Sequence, residues 1–213
     1  MNWLHGANII HCDLKPSNLM WDEKTKSVKV GDFGLSFITK KRGRGPEGGE
    51  EKGGKNSDST PQGTIHYLSP EVYLKNLNTK ARDVYSFGIS IYTFICREKP
   101  FANHLNLRRF FLAVMKEEGG ERPVLPQNDP FTCPPSLNLL AESCWQFDYK
   151  KRPSFQQILS LFDRQLLPHS SIYHSSAQLF WISHFYSPSH VLLKIRFIHF
   201  FLIKTKIRDS KKK

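Results

Sequence analysis

The run Ile9-Ile10-His11-Cys12-Asp13-Leu14-Lys15-Pro16-Ser17-Asn18 limits this chain more than any other feature. A carboxylate (Asp13), an ammonium (Lys15) and a carboxamide (Asn18) fall within six residues, so one rigid loop can present all three. Such a trio serves phosphoryl transfer to a hydroxyl. The carboxylate orients the hydroxyl and takes its proton, the cation meets the moving phosphate, and the amide oxygen ligates magnesium. Fourteen residues beyond Asn18, after a short strand-like stretch, Asp32-Phe33-Gly34 adds a second hard oxygen ligand suited to magnesium on ATP phosphates.

Around these residues the sequence predicts two short strands, Asn18–Trp21 and Ser27–Val30, joined by the polar turn 22–26. From residue 80 the period turns helical. Val84, Phe87, Gly88, Ile91, Phe94 and Ile95 recur at three- and four-residue spacing, and the remaining face is also largely apolar, as in a helix buried on several sides. Leu107, Phe110, Phe111 and Val114 predict a second helix. Leu137, Leu140, Ala141, Cys144 and Trp145 predict a third, opening at Pro134-Pro135-Ser136. A fourth starts at Ser154-Phe-Gln-Gln, a capping-box pattern, and runs through Ile158, Leu159 and Phe162. The fold class that follows is mainly α (α+β), a helical lobe behind a short two-stranded hairpin.

These motifs resemble the catalytic loop and the Asp-Phe-Gly motif of eukaryotic protein kinases. Further matches follow in the family's order: Gly63-Thr64 and Ser69-Pro70-Glu71, with Ser69 where Ala is usual; Asp83-Val84-Tyr85-Ser86-Phe87-Gly88; and Cys144-Trp145 ahead of Lys151-Arg152-Pro153-Ser154-Phe155. The wording of the last two is similar to the tyrosine-kinase-like group, which includes Raf-like and many plant kinases. The resemblance covers roughly residues 1–167 and implies the large, C-terminal lobe of a serine/threonine kinase that uses ATP and Mg2+ on protein substrates. It implies Asp13 and Lys15 as catalytic residues, and Lys15, Asn18, Met20 and Asp32 as nucleotide contacts, with Met20 under the adenine. Asn18 and Asp32 would be the metal ligands. His11, Phe33, Gly34, Thr64, Glu71, Asp83 and Arg152 would shape the activation segment and its support. Glu71 would pair with Arg152, and Asp83 would accept hydrogen bonds from the catalytic-loop backbone. Lys15 with Thr64 resembles the serine/threonine arrangement.

The sequence also departs from the family. Cys12 stands where many kinases carry an arginine that pairs with a phosphate on the activation loop, so the chain is of the non-RD type, and switching through that contact is not expected. No glycine-rich loop, strand lysine or partner glutamate precedes the catalytic loop, and Met1 falls at what resembles the end of the helix before it. The small lobe is therefore expected to be absent, and the isolated chain to show no measurable phosphorylation. An active family member, a dead lobe that scaffolds partners and an incomplete reading of the gene all remain open. Gly43-Arg44-Gly45-Pro46-Glu47-Gly48 spells G-x-G-x-x-G, but it follows no strand, contains a proline and lies after Asp32, so it is plain loop. Val114-Met115-Lys116, superficially a strand lysine motif, is expected to be a solvated helix end.

The net charge of +12 at first suggests nucleic acid. Residues 168–213 carry eight Lys/Arg and one Asp, and residues 40–55 carry six Lys/Arg and three Glu, which leaves only +2 for the rest. The body is nearly neutral, so no nucleic-acid partner is expected. Residues 40–62 are too polar to bury and predict a mobile loop, in which Ser57, Ser59 and Thr60 are ordinary polar residues or phosphosites. The tail, 168–213, is basic and aromatic and is expected to be disordered or non-native. Its most apolar stretch, Val191–Ile203, is broken by Lys194, Arg196 and His199, which rules out a spanning helix and leaves weak contact with a membrane surface open. Four scattered cysteines without a C-x-x-C pair, and an N-terminus unlike a signal peptide, suit the reducing cytoplasm. The oligomeric state is not legible in the sequence.

Overall fold

A computed structural model of the chain describes residues 1–25, 27–39, 62–104, 106–117, 120–126 and 135–161. The predicted mobile loop up to residue 61, the G-x-G-x-x-G decoy and the tail from residue 168 lie outside the described residues. The described residues fall into two units: Met1–Met20 with Lys29–Phe155, and Trp21–Val28 with residues 156–161.

The larger unit begins with a short helix, α1 (Asn2–Gly6), and strand β1 (Ile9–Ile10). Asn8 between them has φ 58, a left-handed conformation that asparagine tolerates, and it turns the chain sharply into β1. β1 pairs antiparallel with β4 (Phe37–Ile38), Ile9 opposite Ile38 and Ile10 opposite Phe37. This sheet was not anticipated from the sequence, since two-residue strands leave no periodicity. It fixes the chain on both sides of the loop that bears Asp13 and Asp32.

Pro16 opens a 3-10 turn over Pro16–Asn18, where its missing N–H and fixed φ suit the first position. Strand β2 (Leu19–Asp22) follows and pairs with β3 (Ser27–Val30), so the first predicted strand lies one residue further along than the pattern placed it. Within the smaller unit the turn is held by Asp22, whose Oδ1 accepts from the N–H groups of Lys24 (3.0 Å) and Thr25 (3.3 Å).

Five further helices follow among the described residues: α2 (Pro70–Lys75), α3 (Lys80–Cys96), α4 (Leu107–Val114), α5 (Pro135–Cys144) and α6 (Phe155–Leu161). α2 has proline at its first position and ends in left-handed Asn76 (φ 48), a C-cap that asparagine fills readily. α3 is the centre of the unit, with every residue from Arg82 to Ile91 buried. Its closest neighbour is α5. A Cβ on Gly88 would come within 2.8 Å of Cys144 Cβ and 3.2 Å of Ala141 O, so only glycine lets the two helices approach this closely. Asn106 caps α4 by accepting from Arg108 N–H at 2.8 Å. The 114–116 segment corrects one expectation. Val114 and Met115 are buried and only Lys116 is exposed, because the helix end carries its apolar residues into the core. No helix among the described residues is long and apolar enough to cross a membrane.

Candidate active site

The loop His11–Asn18 is gripped from beneath by the first turn of α3. Asp83 is completely buried; its Oδ2 accepts from His11 N–H (2.8 Å) and from His5 Nε2 (2.9 Å), and its Oδ1 from Cys12 N–H (2.9 Å). A carboxylate there supplies acceptors for two backbone donors that could not otherwise be met without water. The His11 ring spans to the second motif. Its Nε2–H donates to Gly31 O (2.9 Å), while Nδ1 accepts from Asp13 N–H (3.3 Å), which fixes one neutral tautomer. The Phe33 ring stands edge-on to the His11 ring at 5.0 Å. Gly31 N–H donates to Asn18 O at 2.8 Å, so Asp32 follows directly on a residue bonded to the catalytic-type loop. Cys12 (φ 72) and Asp32 (φ 60) both hold left-handed backbone that non-glycine residues seldom adopt, a strain the surrounding bonds sustain.

Asp13 lies at the focus. Its Oδ2 accepts from Lys15 Nζ (2.6 Å) and Asn18 Nδ2 (3.3 Å), and its Oδ1 from Thr64 N–H (2.9 Å) and Thr64 Oγ1 (2.6 Å). Lys15 Nζ also donates to Thr64 Oγ1 at 2.6 Å, closing a triangle across 49 residues of sequence. Burial by itself would raise the Asp13 carboxyl. The hydrogen bonds from Lys15 and Thr64 and the Lys15 charge outweigh it and hold the group below the ordinary aspartate value. Asp13 is thus an ionised acceptor whose lone-pair directions are aimed and occupied.

The Asn18 amide donates twice to Asp13, to its backbone oxygen (2.8 Å) and to Oδ2, which leaves the Asn18 Oδ1 as an open acceptor. Among the described residues Asp32 receives only a long contact from Gly34 N–H (3.4 Å). Among the described residues no group of three or more His, Cys, Asp or Glu could hold a metal. One carboxylate and one amide oxygen are nonetheless the donor set of a hard cation that keeps most of its own water and borrows phosphate oxygens, so the residues fit Mg2+. Met20 and Phe33 are exposed apolar side chains, 54% and 44% accessible. Gly31 lies directly under Met20, whose Cε would be 2.5 Å from an added Cβ.

Two supports complete the site. Glu71 in the first turn of α2 and Arg152 are joined by two parallel bonds, Nη1 to Oε1 and Nη2 to Oε2, both 2.8 Å. Arg152 spends its other three N–H groups on Gln146 O (2.7 Å), Ala81 O (3.1 Å) and Phe147 O (3.2 Å), so all five donors are engaged. Arg82, next to Asp83, donates to Cys12 O and Gln62 O. Sequence reasoning missed His5 and Arg82. The only signal for either was position, Arg82 beside Asp83 at the start of a buried helix and His5 one short turn before the loop.

Comparison with known proteins bears on the same residues. Residues 1–161 match the protein kinase domain family. The chain is 38% identical over 189 residues to the dual specificity protein kinase shkE of Dictyostelium discoideum, covering 88% of this chain and 24% of that protein. It is 34% identical over 171 residues to the Raf homolog serine/threonine-protein kinase of Caenorhabditis elegans, covering 79% and 20%. It is 33% identical over 165 residues to the serine/threonine/tyrosine-protein kinase HT1 of Arabidopsis thaliana, covering 77% and 37%. The chain spans between 20% and 37% of the length of these three relatives. A family match across most of the chain, with relatives of this kind, means that the chain belongs to the protein kinases, in their tyrosine-kinase-like group.

Proposed function

We propose that these residues are the catalytic lobe of a cytoplasmic serine/threonine protein kinase, transferring the γ-phosphoryl group of ATP to protein hydroxyls. The lobe would occupy residues 1–167, with 168–213 as a tail outside the kinase fold. The observation that carries the reading is the four-donor cluster on Asp13, which gathers Lys15, Asn18 and Thr64 on one carboxylate.

In this reading the substrate hydroxyl takes one of the acceptor positions on Asp13 now filled by Thr64 or Lys15. Asp13 orients the hydroxyl for in-line attack and receives its proton as the new P–O bond forms. A carboxyl held below its usual pKa is a weak base, which suits a loose transition state in which the proton moves late and orientation matters more than basicity. Lys15, already 2.6 Å from Asp13, stays at the site to meet negative charge on the transferring group. Thr64 bridges both residues and lines the place where the acceptor segment would lie. Asn18 and Asp32 would hold Mg2+, which neutralises phosphate charge when bound. The exposed faces of Met20 and Phe33 are what a nucleotide and a covering lobe would bury.

The test is phosphoryl transfer from radiolabelled ATP to protein substrate, with the 213-residue chain alone and with the chain joined behind the small lobe of the Dictyostelium relative. The expected result is no turnover alone, turnover at Ser or Thr in the chimera, and a loss of about 10²–10⁴-fold in Asp13→Asn. An active chimera that Asp13→Asn leaves unchanged overturns the assignment.

A further inference from the structure

Arg82 does something that neither the motifs nor the proposed chemistry require. It sits in the first turn of α3 and is only 3% accessible, yet among the described residues it makes no ion pair. Its Nη2 donates to Cys12 O at 2.9 Å and to Gln62 O at 2.6 Å, and its Nη1 donates to Asn78 Oδ1. A buried cation met only by neutral oxygens is an expensive choice where an apolar side chain would pack. What the guanidinium adds is a bridge, since one planar nitrogen can reach two carbonyls from distant segments at fixed angles.

We infer that Arg82 is a positioning residue that holds Gln62–Thr64 in register on the catalytic loop without any phosphate. The inference rests on the functional reading of Thr64 and Asp13 given above. Consecutive residues of α3 grip both backbone polar groups of one strained residue: Asp83 takes the Cys12 N–H and Arg82 takes the Cys12 C=O. The Cys12 side chain itself offers no cation; its thiol lies 3.7 Å from Ile10 O. Arg82 therefore supplies from the helix a positive bridge that the loop does not carry at position 12. The fit beside it is tight. Gly63 has φ 127, and a Cβ there would lie 2.9 Å from Cys12 O and 3.3 Å from Arg82 Nη2. The very next residue, Thr64, delivers its N–H and its hydroxyl to Asp13. Movement of the Gln62 carbonyl is thus passed to the Asp13 cluster within two residues.

The experiment is amide hydrogen exchange on the full chain, expressed in bacteria, for wild type, Arg82→Gln and Arg82→Lys, with wild type also treated with phosphatase. Exchange at the Thr64 amide is expected to rise at least tenfold in Arg82→Gln. The amides of α5 and of Gly88–Ile91 should keep their protection, Arg82→Lys should fall between the two proteins, and phosphatase should change nothing. Unchanged exchange at Thr64 overturns the inference, as does a uniform rise across α3 and α5, or loss of Thr64 protection on phosphatase treatment. If Arg82→Gln does not fold, the same comparison is read in Arg82→Lys, where selective opening at Thr64 supports the bridge and its absence refutes it. Because the readout needs no turnover, a chain that fails to phosphorylate can still pass this test, and an active one can fail it.

Discussion

The Glu71–Arg152 pair allows a prediction in which the two halves of an ion pair are not equivalent. Both side chains are essentially inaccessible, 3% and 0%, so solvent screening does not dilute their interaction. Removing one partner from a buried pair costs about 3–5 kcal/mol, because the other charge is left without compensation. Glu71→Ala strands the guanidinium but leaves its bonds to Gln146 O, Ala81 O and Phe147 O in place. Arg152→Ala strands the carboxylate and also orphans those three carbonyls, each at up to about 1–3 kcal/mol where water does not enter. It also removes the cation 5.0 Å from the Tyr85 ring centroid. Arg152→Ala should therefore destabilise more than Glu71→Ala by at least about 1 kcal/mol, and the double variant should fall well short of the sum. Urea unfolding of all four proteins, followed by tryptophan fluorescence, gives the midpoints and the coupling energy. Equal losses for the two single variants, or a coupling below about 1 kcal/mol, would refute the reasoning. If the alanine variants are too unstable to measure, Arg152→Lys against Glu71→Gln gives the same ranking at smaller amplitude, since lysine cannot reproduce the five-donor fork.

Other outcomes follow from single contacts. The Tyr85 hydroxyl is buried with no hydrogen-bond partner among the described residues while Arg122 and Arg152 lie against its ring, at 5.5 and 5.0 Å; Tyr85→Phe should leave the melting temperature unchanged or raise it. Gly88→Ala forces a methyl group to within 2.8 Å of Cys144 Cβ and should destabilise by about 1–3 kcal/mol in thermal unfolding. Because Asp13 is held below its unfolded pKa, it adds stability above about pH 4 that is lost as pH falls through the folded value. The gap in urea midpoint between wild type and Asp13→Asn should accordingly close between pH 6 and pH 2.5. Burial pushes the thiols of Cys12 and Cys144 up to about 12, so both should resist alkylation at pH 8 until the chain is unfolded.

What the sequence disclosed of the fold was whatever its periodicity could carry. The long helix α3 was legible from Val84 to Ile95 because a buried helix repeats its apolar residues over several turns, and α4 and α5 were legible for the same reason. The β1–β4 sheet was not. Ile9 and Ile10 make two residues of strand, too few for any alternation, and their partners Phe37 and Ile38 are set by pairing across the intervening loop. The end of α4 was misjudged for a related reason. Lys116 suggested solvent, but Val114 and Met115 answer to the packing of a core that local pattern does not describe.

The site divides along the same line, between contacts that a short segment can specify and contacts that only the assembled chain makes. Asp13, Lys15 and Asn18 were legible together because six residues on one loop must lie near each other. Thr64 and Asp83 reached them only through the wording of distant motifs, and geometry gives that wording a cause. Among the described residues Asp83 is the carboxylate that accepts from both His11 and Cys12 N–H, and Thr64 brings two donors to Asp13 from the far side. Arg82 had no wording at all. A basic residue at the start of a helix ordinarily faces water, and nothing in the chain's local pattern says that this one turns inward. Its role exists only once Cys12 O and Gln62 O are brought within reach of one guanidinium. The residues that perform chemistry are therefore the more legible part of such a site. Of the residues that hold the chemistry in place, Asp83, Glu71 and Arg152 are signalled by distant motifs, whereas Arg82 acts through backbone carbonyls that only the assembled chain brings within its reach.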